Sequence, residues 1–66
     1  MSNNYVDLIN ATLTTLGDKK YLTKVMKDKA LRFYHIMSEL KSTFDDATRT
    51  RFADYEKYLH ERKVLL

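Results

Sequence analysis

The chain has 66 residues, of which 44% are hydrophobic and 32% charged, with a formal net charge of +3. This is one domain at most, too apolar for a disordered chain and without any apolar run near the ~20 residues of a membrane span. The lack of cysteine excludes disulfides and thiolate metal sites, and the absence of proline beside a single glycine favours helices.

The N-terminal stretch MSNNYVDLIN has neither the basic start nor the long apolar segment of a signal peptide, so a soluble, cytoplasmic protein is expected. From there Val6, Ile9, Leu13 and Leu16 follow at spacings of three, four and three, which predicts a helix over about 4–16. Asn3 or Asn4 is its expected cap, Asp7 suits its positive end, and Gly17 is placed to end it. Thr12, Thr14 and Thr15 weaken it, because threonine is a poor helix former.

Asp18 then stands where a second helix would be capped. Leu22, Met26, Ala30, Phe33, Met37 and Leu40 hold the helical period, with Val25 and Ile36 widening the stripe, and predict a helix over about 19–41. In KSTFDDATRTRF, Ser42 or Thr43 is the expected cap of a third helix over about 44–62, with Asp45 and Asp46 in its first turn. Phe44, Phe52, Tyr55 and Leu59 form its inner stripe, and Ala47 or Thr48 fills the missing turn. The competing expectation is one continuous helix over 19–62, since no glycine or proline forces a break near 42. The pattern predicts an all-α fold, with a short N-terminal helix packed across an antiparallel hairpin of two longer helices. A domain this small is marginal alone, so a homodimer is expected to complete the core.

No constellation for catalysis or for a cofactor is present. His35 and His60 are far apart and lack ligand spacing, so no metal is expected. Asp45 and Asp46 are adjacent on a helix and do not face one another, and helix-start duty explains both. The chain is therefore expected to be no enzyme and to carry no cofactor.

Two features bear on binding. Five tyrosines are many for this length, and tyrosine is enriched at interfaces. Tyr21, Tyr34 and Tyr58, with Leu31 off the main stripe, form the expected partner-binding surface. Segment 18–41 carries seven basic and three acidic residues, a net +4, and on a helix starting at 19 Lys20, Lys24 and Lys27 would share one face. That face suits phosphates or an acidic protein surface, but the base-reading residues of a specific DNA binder are missing. The composition has the look of small virus-encoded or mobile-element proteins. The reading that follows is a small regulator or inhibitor that docks on a partner protein through its helical, tyrosine-bearing surface. The alternative is a nucleic-acid-associated protein using the basic face of the second helix, without sequence specificity.

Overall fold

The apolar periodicity resolves into three helices. In the computed structural model, which describes residues 4–66, they are α1 (Asn4–Leu16), α2 (Lys24–Glu39) and α3 (Asp46–Glu61), with a 3-10 turn at Lys41–Thr43. There is no strand among the described residues, and α1 packs on both α3 and α2. The all-α, three-helix architecture expected from the sequence is the one observed.

Gly17 ends α1 as expected. Its φ of +78° is left-handed, and its N–H donates to the Leu13 carbonyl at 2.9 Å. Nothing lies within 4 Å of where a Cβ would sit, so glycine is required there by the backbone and not by crowding. The expected cap at Asn3 lies outside the described residues, and Asn4 is already the first residue of α1.

The second helix starts later than the periodicity suggests. Residues 18–23 are irregular, and the cap is Thr23, not Asp18: its extended backbone leads into α2 and its hydroxyl accepts from the Met26 N–H at 3.2 Å. Leu22 is buried nonetheless, delivered to the core by the linker instead of by a helical turn. Val25 and Ile36, expected to widen the core stripe, are instead 63% and 52% exposed.

The continuous-helix alternative fails at residues 40–45. The Leu40 N–H turns back to the Met37 carbonyl, the 3-10 turn follows, and Phe44 is extended at φ −73° and ψ 139°. The cap of α3 is Asp45 and not Ser42 or Thr43. Its carboxylate accepts from the Thr48 N–H at 2.9 Å, and Asp46 opens the first turn beside the positive helix end. Ser42 and Thr43 belong to the 3-10 turn, where the Thr43 hydroxyl donates to the Leu40 carbonyl.

Tyr5 meets Phe44, Asn10 accepts from Arg51, and the Gly17 carbonyl accepts from Tyr58, so α1 and α3 run in the same direction. Between their ends α2 returns, with Tyr55 of α3 donating to the Ala30 carbonyl at 2.7 Å. The centre is aromatic. Tyr5, Phe44, Phe52 and Tyr34 make a continuous chain of ring contacts at 5.3–5.6 Å, and Phe33 meets Tyr55 edge-on at 5.6 Å. Ile9, Met37, Phe52, Tyr55 and Leu59 are essentially inaccessible, and Thr48 fills the missing turn of the α3 stripe at 0% exposure. No buried side-chain nitrogen or oxygen among the described residues lacks a hydrogen bond.

The chain ends in a Schellman cap. The Val64 N–H reaches the Leu59 carbonyl at 2.9 Å and the Lys63 N–H reaches the His60 carbonyl at 3.1 Å. Lys63 takes the left-handed position that such a cap demands, at φ 61°. Val64 and Leu65 then fold back onto the core.

Candidate functional site

The structure redistributes the residues singled out in the sequence. Tyr34 and Tyr58 are half-buried, and the fold uses their hydroxyls. Tyr34 donates to Glu56 at 2.7 Å, and Tyr58 donates to the Gly17 carbonyl at 2.6 Å. The bond to the Glu56 carboxylate, more than burial, raises the Tyr34 pKa; for Tyr58 burial is the main cause and the Arg62 guanidinium partly offsets it. These two tyrosines tie α3 to α2 and to the end of α1. Leu31 is half-buried on the flank of α2 that carries Lys27 and Tyr34. Tyr21 alone of the three tyrosines stands free, at 75% exposure. The four expected partner-binding residues therefore do not form one free surface.

The lysines are also divided differently. Lys20 precedes α2, so it cannot share a helical face with Lys24 and Lys27 as expected. Even so, Lys20 and Lys27 line one cleft, joined there by Arg62 and Lys63 from the far end of the chain.

An apolar groove of about 440 Å³ opens between α1 and α2. Leu8, Ala11, Thr12 and Thr15 make its α1 wall, and Met26, Lys29 and Phe33 make the other. The groove exists because the two helices bury different arcs. Ile9 and Leu16 turn α1 towards α3, which leaves Leu8 48% exposed on the opposite side. Thr12 sits in this wall with its hydroxyl donating to the Leu8 carbonyl at 2.8 Å, so its polar group is satisfied within the helix. On α2, Ala30 and Met37 are inaccessible, while Val25 and Ile36 stand four residues before and seven after Lys29 on the same face. They extend the apolar wall beyond the groove. Two of the three threonines first read as weak helix formers, Thr12 and Thr15, are thus part of the small, uncharged lining of an open surface, and Thr14 lies outside it. An excess of small neutral residues on one face of α1 was the sequence signal for it.

The charge on this surface is positive. Lys29 lines the groove, Arg32 lies one turn further along α2, and neither enters an ion pair among the described residues. The pairs that do form are Arg49–Asp46, Arg51–Asp54 and Arg62–Glu61, all within or at the end of α3. Among the described residues no three histidine, aspartate or glutamate side chains gather as a metal site would require. No helix among them is long and apolar enough to cross a membrane. Comparison with protein-family models, with curated proteins and with solved structures finds no match for the chain.

Proposed function

We propose that the protein is a binding module, a regulator or inhibitor that docks on a partner protein by taking an acidic amphipathic helix of that partner into the α1/α2 groove. The observation that carries this reading is the groove itself: an open apolar trough between two helices, with Lys29 in its lining and Arg32 one turn further along α2, neither of them ion-paired among the described residues. Helix-in-groove recognition uses apolar anchors at i, i+3 or i+4, and i+7. The wall from Leu8 to Thr15 spans about 10 Å at 1.5 Å per residue, the length over which one such set of anchors repeats. Acidic residues beside the anchors would meet Lys29 and Arg32, which favours this partner over a basic one and raises the rate of encounter.

A second copy of the chain is the competing occupant. Selection from a library of amphipathic helical peptides, with chemical-shift mapping on the full chain, separates the two. Enriched peptides should carry Asp or Glu beside the anchors, shift the amides of residues 8–15 and 25–36, and lose binding on Leu8→Glu. The reading is overturned if no such peptides emerge, if the shifts fall on α3, or if sedimentation shows a dimer that Leu8→Glu dissociates.

A further inference from the structure

Seven of the eight aromatic side chains pack in or against the core, and Tyr21 is the exception. Its ring serves no contact in the core, and Lys20 Nζ lies 5.8 Å from its centroid. Both residues belong to a cleft of about 420 Å³ that the linker before α2 forms with the end of α3. Lys27, Lys63, Arg62 and Glu61 complete the lining.

The cations of this cleft are not equivalent. Arg62 is a structural residue. Its Nε donates to the Lys19 carbonyl at 2.6 Å, its guanidinium lies 3.7 Å from the centre of the Tyr58 ring, and Glu61 is 3.6 Å away. It fixes the linker to α3 and so holds the cleft open. Lys20, Lys27 and Lys63 have no ion-pair partner among the described residues. Two of the three occupy positions that local structure disfavours. Lys63 is left-handed at φ 61°, where glycine is the usual residue. Lys27 lies near the start of α2, whose first turn has no acidic residue, although the dipole there favours negative charge. An anion in the cleft would offset the electrostatic cost at Lys27 and give Lys63 a counter-charge.

We propose that this cleft binds single-stranded nucleic acid, with Lys20, Lys27 and Lys63 against successive phosphates and the Tyr21 ring stacked on a base. An exposed ring beside a short row of cations is the arrangement that holds single strands, and a duplex hides its base faces from such a ring. No base-edge reader lines the cleft, so binding is independent of sequence. The site is separate from the α1/α2 groove, and either can fail without the other.

Fluorescence anisotropy with a labelled oligothymidylate of about ten nucleotides tests it on the full chain. Three phosphate contacts predict a slope of about −2 for log K against log salt, at about −0.7 per contact on single strands. Lys20→Gln, Lys27→Gln and Lys63→Gly together should flatten that slope. Tyr21→Ala should weaken binding roughly five- to a hundred-fold, and Tyr21→Phe should retain it. Because Tyr21 is exposed, its variants should keep the wild-type melting curve, which separates loss of stacking from loss of fold. The proposal is overturned by no binding at low salt, by equal binding of a duplex competitor, or by full binding with Tyr21→Ala. The last result would make the cleft a general polyanion surface instead.

Discussion

Lys63→Gly should stabilise the protein. Lys63 holds φ 61° in the Schellman cap that ends α3, with its own N–H on the His60 carbonyl and the next N–H on the Leu59 carbonyl. A side chain in that region costs roughly 1–2 kcal/mol, because its Cβ crowds the following carbonyl. Glycine removes the crowding but frees the unfolded chain, which returns about 0.4–1 kcal/mol. The net gain is about 0.5–1 kcal/mol, or roughly 3–6 °C in Tm for a domain of this size. The side chain is exposed and has no ion-pair partner among the described residues, so little else is lost. Thermal and urea unfolding of Lys63→Gly and Lys63→Ala should separate them: glycine above wild type, alanine within about 0.5 kcal/mol of it. If glycine is no better than alanine, Lys63 is not left-handed in solution, and both the cap and the geometry of the neighbouring cleft are wrong.

Phe52→Ala should cost about 3–5 kcal/mol in chemical denaturation, as for other fully buried phenylalanines, and Phe33→Ala clearly less, because Phe33 is half-buried at the groove; equal losses would refute this placement of the core. Asp45→Ala should cost about 1 kcal/mol and Ser42→Ala almost nothing, the reverse of what the sequence suggests for the α3 cap. The protein should also lose stability above pH 10. Burial, with Tyr58 nearby, raises the Tyr55 hydroxyl above its ordinary value of 10.0, so the folded state keeps a proton that the unfolded chain releases. Stability is therefore intact below pH 10 and falls above it by about 1.4 kcal/mol per pH unit from Tyr55. The raised Tyr34 and Tyr58 act in the same direction. Denaturation midpoints that stay flat from pH 9 to 11 would contradict it.

The helical stripes were legible because burial on one face imposes a period: Ile9 and Leu16, Ala30 and Met37, Phe52 and Leu59 all lie where spacing puts them. The start of α2 was not. Leu22 stands four residues before Met26, so an irregular linker that delivers Leu22 to the core leaves the same periodic mark as a helical turn. Asp18 was an equally good cap on local chemistry, and only the path of the chain after Gly17 selects Thr23. Between Ser42, Thr43 and Asp45 the choice depended on where Phe44 must enter the core, which is a tertiary fact. The tyrosines misled for a related reason. Tyr34 and Tyr58 look like boundary residues on a wheel, but their hydroxyls find Glu56 and the Gly17 carbonyl on other helices. The two candidate surfaces join distant segments: α1 with α2 in the groove, and Lys20 and Lys27 with Arg62 and Lys63 in the cleft. Contacts between such segments leave no period within either one.

The measurement that bears most directly on the docking proposal is a charge-reversal cycle across the groove. A selected acidic helical peptide is titrated against wild type and against Lys29→Glu, Arg32→Glu, and the titrations are repeated with the peptide's carboxylates replaced by lysine. Both positions are exposed, so the fold should survive, which circular dichroism checks. The account predicts that each single reversal weakens binding at low salt and that the double reversal restores much of it. Favourable coupling of this kind arises when the two sets of charges meet across an interface. Losses that simply add, or binding indifferent to the charge at 29 and 32 but abolished by changes in α3, would place the partner elsewhere and contradict the account.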